Sequence, residues 1–345
     1  MGITNTEYFL LFVISYLLVG VLTPIMRKIA IATDVVDRPN SSHKSHKKAV
    51  PYLGGIAIII GVITVSYSAS LFSQFTSSTF WLATSLLGPA LLIGLIGLWD
   101  DIRNLPPLPR FIAQTFAGVF TASILIITDN VGNPTGSSIF DSIITVVWIV
   151  GICNSINFFD NLDGGAAGTV AISSIALAIL ALNGDQYLIA ALSTVTAGAT
   201  LGFLVWNKSP AKIYMGDAGA LFLGVLLATL TVRFEPTTQS PISAYFVPIF
   251  LLAIPILDTT VAVLSRIRRH ISPFQGGQDH LSHRLIRAGC SRRTAAFSLW
   301  GLSAIFAVMP LLIANSESSI ENYILISAVA FWIIAFALFF KTRDI

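Results

Sequence analysis

Apolar runs of about 20 residues recur along nearly the whole chain, separated by short polar segments. They lie near 8–26, 53–72, 80–98, 111–128, 138–156, 168–183, 187–206, 217–232, 243–264, 296–314 and 323–340. A helix needs about 20 mostly apolar residues to cross the hydrocarbon of a bilayer. Runs of this length suit no barrel strand, and helices alone then satisfy every backbone polar group in lipid. The pattern predicts an all-α polytopic membrane protein of about eleven transmembrane helices. The first run lacks the basic flank and small-residue cleavage site of a secretory leader and reads as the first helix. With no internal repeat and no long polar stretch, residues 1–345 read as a single membrane domain.

Composition agrees with that solvent. Of the 345 residues, 54% are hydrophobic and 11% charged, whereas a soluble domain carries about 25% charged residues. Placing the N-terminus outside and the C-terminus in the cytoplasm puts every Lys and Arg except Arg233 on the inner side, as the positive-inside rule requires. One span more or fewer would scramble that partition. The inner segments with candidate chemistry are then 27–52, 99–110, 155–167, 206–217 and 265–295. Cys153 and Cys290 have neither partner nor metal-ligand spacing, so no disulfide or zinc site is predicted.

The acids sort differently from the bases. Asp100, Asp101, Asp160, Asp163, Asp217 and Asp258 fall at or just beyond the inner ends of helices, where a carboxylate is costly unless paired, metal-bound or wet. In GLWDDIRNLPPLPR, Asp100 and Asp101 repel each other unless a cation neutralises them; a divalent-ion site and a hydrated acid pair fit equally well. In NSINFFDNLDGG, Asn157, Asp160 and Asp163 recur every three residues, which on a helix is one polar stripe, ended by Gly164 and Gly165. The stripe suits ligation or substrate contact better than simple capping. In WNKSPAKIYMGDAGALFLG, Asp217 opens a span among small residues, with Asn207 upstream. Gly216, Ala218 and Gly219 would let a bulky ligand reach the backbone, and the helix N-terminus suits phosphate, although taken alone this motif is better read as an ordinary aspartate cap.

Two basic loops complete the inner face. RIRRHISPFQGGQDHLSHRLIRAGCSRR carries seven arginines with His280 and His283 beside Asp279; it satisfies orientation, and the histidines could in addition donate to a phosphate or shuttle a proton. DRPNSSHKSHKKAVPYLGG places His43, His46, Lys44, Lys47 and Lys48 in an anion-facing loop. Carboxylates together with phosphates are how proteins hold Mg²⁺, which keeps several waters and wants few protein oxygens. No Walker loop or kinase signature is present. An ion-coupled transporter would instead place acids near the bilayer midplane in broken, repeated helices.

Five motifs in order then carry a resemblance: D-R-P-N…P-x-x-G-G near 37–55, W-D-D at 99–101, N-x-x-D-x-x-D-G at 157–164, M-G-D-x-G at 215–219 and the histidine loop at 280–284. The chain resembles, over nearly its whole length, the MraY/WecA superfamily of polyprenyl-phosphate N-acetylhexosamine-1-phosphate transferases. The resemblance implies transfer of a sugar-1-phosphate from a UDP-N-acetylhexosamine to undecaprenyl phosphate at the inner face of the plasma membrane, with release of UMP and a requirement for Mg²⁺, which Mn²⁺ can replace. It implies that Asp217 ligates the metal with Asp101 nearby, and that Asp100 is a base or positioning acid. It assigns Asn157, Asp160, Asp163 and Asn207 to the nucleotide with some metal contact, Arg110 and His46 to substrate phosphate, and His280 and His283 to the diphosphate. The family's His-x-His-His is here His280-Leu281-Ser282-His283, so a role carried by the middle histidine has no counterpart. That departure, and the missing His-rich signature of the muramyl-pentapeptide branch, favour the N-acetylglucosamine branch of envelope glycan synthesis. Membrane lipid is the expected surrounding, no nucleic-acid partner is expected, and a homodimer is compatible with the pattern.

Overall fold

The computed structural model describes residues 4–37, 49–72, 77–103, 106–127, 137–273 and 277–342. Helices α1 (Asn5–Ala32), α2 (Gly54–Phe72), α3 (Ser77–Arg103), α4 (Pro107–Ile127) and α5 (Ser138–Phe159) lead into α6 (Gly165–Asn183), α7 (Tyr187–Asn207) and α8 (Gly216–Arg233). Then follow α9 (Pro241–Leu251), α10 (Ala253–Arg268), the short α11 (Leu281–Arg287), α12 (Arg292–Ala314) and α13 (Ser318–Lys341). Each of the eleven apolar runs is helical. The chain is an all-α polytopic membrane protein: among the described residues eight helices are long and apolar enough to span, nine if the bent pair α9–α10 counts as one span. The described parts of α2 and α4 are apolar but shorter.

One expected span is broken. The run at 243–264 is two helices bent by 75°, and the cause lies in the sequence. Pro255 has no N–H to give the Leu251 carbonyl one turn back. That freed carbonyl accepts instead from the Ser173 hydroxyl of α6, which holds the kink against the core.

Helices α6, α7 and α8 form the centre. On α8 almost every residue from Gly216 to Thr231 is buried, with α3 and α5 packed on it, while α1 packs on α7 and α12 on α6. Phe9, Leu17 and Val21 of α1 and Ile326, Ile333 and Leu338 of α13 stay exposed, which in hydrocarbon costs nothing. An all-α pattern leaves no place for strands, yet β1 (Val36–Asp37) pairs antiparallel with β2 (Val50–Pro51). The edge of β2 extends into the segment before α8: Tyr214 N donates to Pro51 O at 2.8 Å and Gly55 N to Met215 O at 2.8 Å. Polar segments thereby close over the bundle end where α3, α5, α7 and α10 finish and α2, α6, α8 and α12 begin.

Candidate functional site

The centre of that end is a hydrogen-bonded chain of three residues from three helices. Asp101, in the last turn of α3, accepts from the backbone N–H of Asp217 at 2.8 Å and of Ala218 at 3.0 Å. It therefore caps α8 from outside, where the orphan N–H groups and the positive helix end favour a carboxylate. Asn157 of α5 donates Nδ2–H to Asp217 Oδ1 at 2.8 Å. Asp100, beside Asp101, is buried.

This geometry revises the reading of the small residues around Asp217. Gly216 takes a left-handed φ of 71°, and a Cβ there would lie 2.5 Å from Asp101 Oδ2. At Gly219 a Cβ would lie 2.6 Å from Gly55 Cα. The small side chains admit the Asp101 carboxylate and helix α2, not a bulky ligand. The first N–H groups of α8, read as a phosphate cradle, are held by Asp101.

The aspartate stripe is also revised. Helix α5 ends at Phe159 and Asp160 is its C-cap, so Asp160 and Asp163 lie in a loop and not on a helix face. Gly164, with φ of 73°, and Gly165 begin α6 instead of ending α5. The loop is fixed from four sides. Asp163 Oδ2 accepts from Ala211 N at 3.1 Å. Asn207, fully buried at the end of α7, accepts from Gly164 N and donates to Ile213 O, both at 2.9 Å. Trp300 of α12 donates to Gly164 O at 3.1 Å, and Asn161 donates to Phe158 O at 2.7 Å. Burial raises the Asp160 carboxyl well above its ordinary range, and the negative charges of Asp217, Asp101 and Asp163 raise it further.

The histidine loop docks beside this cluster. The Ser282 hydroxyl donates to Asn161 Oδ1, so the residue standing where the motif usually has histidine ties α11 to the aspartate loop. His280 is buried, with Nδ1 2.7 Å from Asp258 Oδ2 and Nε2 3.3 Å from Arg266 Nη2. Arg266 is itself bidentate to Asp279 at 2.8 and 2.7 Å, and Arg269 reaches the same carboxylate at 2.7 Å. Burial alone would raise the Asp279 carboxyl, but the hydrogen bonds and charge of Arg266 hold it low. Phe158 of α5 meets both, its ring 5.9 Å from the Arg266 guanidinium and 6.2 Å edge-on from His280. His283 differs from expectation: burial, then the neighbouring His280, lower it to about 4. It is neutral at pH 7, and its Nδ1 has no hydrogen-bond partner among the described residues. Arg284, also fully buried, binds Asp279 O, Ser265 Oγ and the carbonyls of Phe339 and Thr342.

The structure thus brings Asn157, Asp101, Asp160, Asp163 and Asp217 together, with Asn207 behind them and His280 and His283 alongside. His46 lies outside the described residues, as does the rest of 38–48, and the Arg110 side chain is likewise outside them. Sequence reasoning missed Tyr52 and Tyr214. Burial raises the Tyr52 hydroxyl, which also feels the charges of Asp37, Asp101 and Asp217; Tyr214 is raised by burial and then by Asp163. Both sit within or beside quoted motifs but carry no charge to flag them. An apolar groove of about 330 Å³ runs between α4, α5 and α10, lined by Phe111, Gln114, Val150, Asn154, Asn157 and Val263.

Among the described residues no group of three or more His, Cys, Asp or Glu is arranged to hold a metal ion by itself. Mg²⁺ does not ask for such a cage: it takes one or two carboxylates plus phosphate oxygens and water. Burial raises Asp160 first, and the acid crowding that raises it further is what a divalent cation relieves, so the donor set fits an ion that arrives with a diphosphate.

Residues 83–235 match the family model described as Glycosyl transferase family 4. The chain is 33% identical over 327 residues to a probable undecaprenyl-phosphate N-acetylglucosaminyl 1-phosphate transferase of Bacillus subtilis, covering 93% of this chain and 88% of that protein. It is 33% identical over 304 residues to a decaprenyl-phosphate N-acetylglucosaminephosphotransferase of Mycolicibacterium smegmatis, covering 80% and 74%. A phospho-N-acetylmuramoyl-pentapeptide-transferase of Bacillus pumilus is 35% identical over 240 residues, 64% of this chain and 72% of that protein.

Proposed function

Since the chain belongs to glycosyl transferase family 4, we propose that it transfers N-acetylglucosamine-1-phosphate from UDP-N-acetylglucosamine to undecaprenyl phosphate and releases UMP. The observation that carries the proposal is the hydrogen-bonded chain Asp101–Asp217–Asn157 at the ends of three helices, with Asp160 and Asp163 crowded against it and an apolar groove lined in part by Asn157. Such a boundary suits a reaction whose acceptor tail stays in hydrocarbon while its phosphate meets a water-soluble donor. The two N-acetylglucosamine relatives align over 93% and 80% of this chain, against 64% for the pentapeptide transferase, which supports the smaller sugar.

The lipid phosphate attacks the β-phosphorus of the donor; the new P–O bond forms as the bridging P–O bond breaks, and the bridging oxygen leaves on UMP. A phosphate monoester has a second pKa of about 6, so the nucleophile is largely dianionic at pH 7 and needs no strong base. Asp100 orients it. Asn157 and the α8 backbone fix the rotamers of Asp217 and Asp101, the pair proposed to hold the cation. When bound there, Mg²⁺, or Mn²⁺ in its place, would supply charge neutralisation at the diphosphate. Asp160, Asp163 and Asn207 shape the nucleotide pocket, and Arg110, His46 and the histidine loop meet phosphate charge. The Lys and Arg partition supports eleven spans, the N-terminus outside and this face in the cytoplasm of a cell whose plasma membrane carries the enzyme. Purified protein given undecaprenyl phosphate and a panel of labelled UDP-sugars tests the proposal: label from UDP-N-acetylglucosamine should enter the lipid phase with stoichiometric UMP. Label transferred only from the UDP-muramyl-pentapeptide, or from no donor, would overturn it.

A further inference from the structure

Asp258 has no part in the chemistry described so far, yet it is a fully buried carboxylate inside α10, ten residues before that helix ends at Arg268. A charge at that depth is costly and calls for a reason. It makes two bonds, both short: Oδ1 accepts from Leu281 N at 2.7 Å, and Oδ2 lies 2.7 Å from His280 Nδ1. The first opens α11; the second decides the state of the histidine. A carboxylate only accepts, so Nδ1 carries the hydrogen. On the other side of the ring Arg266 Nη2 stands 3.3 Å from Nε2, and a guanidinium only donates, so Nε2 presents its lone pair. The ring of His280 is thus oriented from both sides, Nδ1 toward Asp258 and Nε2 toward Arg266. The charged and titratable groups around it are Asp258 and Arg266 of α10, Asp279 preceding it in the loop, and His283 of α11; from α5 it meets the uncharged Phe158.

Resting on the proposed transferase reaction, we propose that Asp258 is a positioning residue that holds His280 with Nε2 turned to the donor diphosphate and compensates the ring when Nε2 takes a proton. A phosphate oxygen arriving beside Arg266 gives Nε2 an acceptor in place of a donor. The ring then binds that oxygen only with a hydrogen at Nε2, and the Nδ1–H bond to Asp258 stabilises the resulting imidazolium, as second-partner carboxylates do for other working histidines. A carboxylate that merely anchored the loop would need only the Leu281 N–H.

Asp258→Asn separates the two roles. Its amide keeps the shape; its oxygen goes to Leu281 N, and its NH₂ faces His280 Nδ1. That forces the hydrogen to Nε2, against Arg266. The full-length protein in nanodiscs should give a protonated, pyrrole-type ¹⁵N signal for His280 Nδ1 in the wild type and for Nε2 in the variant. Turnover of UDP-N-acetylglucosamine should fall about 10²-fold, in the range general acid–base groups contribute, with the donor KM within about threefold. Asp258→Asn combined with His280→Gln should be no slower than His280→Gln alone, because residues acting as a unit are not additive. Wild-type protein that transfers no label defeats the transferase reading itself. Active wild type with Asp258→Asn equally fast, with losses that multiply in the double variant, or with a wild-type Nδ1 signal of the unprotonated type, overturns the role of Asp258. Should the variant fail to fold, the wild-type ¹⁵N signal alone decides.

Discussion

Gly97→Ala adds one methyl group where α3 crosses the start of α8. A Cβ at 97 would lie 2.5 Å from the Asp217 carbonyl carbon and 2.7 Å from Ala218 N. Carbon atoms rest at about 3.5 Å or more, and backbone cannot rotate away, so the helices must part by about 1 Å. Asp101 is one turn further along the same face of α3, and its bonds to Asp217 N and Ala218 N, 2.8 and 3.0 Å long, would stretch beyond hydrogen-bond range. Overpacking costs about 1–3 kcal/mol, and each bond to a charged group about 1.5–3 kcal/mol. More telling is position: a shift of about 1 Å in a reacting group costs about 10²-fold in rate. Gly88 lies on the same helix with nothing within 4 Å of its Cβ position, and so serves as the control. In a lipid-label assay on detergent-purified proteins matched for monodispersity, Gly97→Ala should lose about 10²-fold and Gly88→Ala less than twofold. Full activity of Gly97→Ala, or equal losses in both, would refute the reasoning.

Asn207→Leu removes the amide that joins α6 to the segment before α8 and leaves Gly164 N–H and Ile213 O buried without it. At about 1–3 kcal/mol for each orphaned group, thermal unfolding in detergent should begin several degrees lower; an unchanged Tm would show water replacing the amide. His283 sets a pH dependence. Its folded pKa of about 4 lies below the ordinary 6.5, so between those values the unfolded chain binds a proton that the native protein does not. Stability should therefore climb as pH rises from 4 to 6.5 and level off above, and His283→Leu should flatten this part of the Tm–pH curve. An identical slope in wild type and variant would remove His283 as the cause.

The membrane-spanning pattern was legible because a long apolar run has so few alternatives. In lipid the backbone must satisfy itself, and the eleven runs are helical, the one at 243–264 in two pieces. The break after Leu251 was not, because Pro255 in an apolar run looks like a tolerated proline until Ser173 is seen to take its orphaned carbonyl. The convergence of Asp101, Asp160, Asp163 and Asp217 could be read from their common place at helix ends. Their local geometry could not: the three-residue spacing of Asn157, Asp160 and Asp163 mimics a helix, whereas Ala211 N, Asn207 and Trp300, all distant in sequence, hold the last part as a loop. The glycines near Asp217 were ambiguous for the same reason, since small residues admit a ligand or a neighbour alike and only the approach of α2 and Asp101 decides. Asp258 stood in no motif; its meaning comes from His280, 22 residues away.

The central claim is that the acids at the ends of α3, α5 and α8 receive a divalent ion together with the diphosphate of a UDP-sugar. Anomalous diffraction from crystals grown with Mn²⁺ and UDP-N-acetylglucosamine measures it directly. The account predicts one manganese peak within coordination distance of Asp217 and of a phosphate oxygen, lost in Asp217→Asn. Bound nucleotide with no peak there, or a peak held by residues elsewhere, would contradict it.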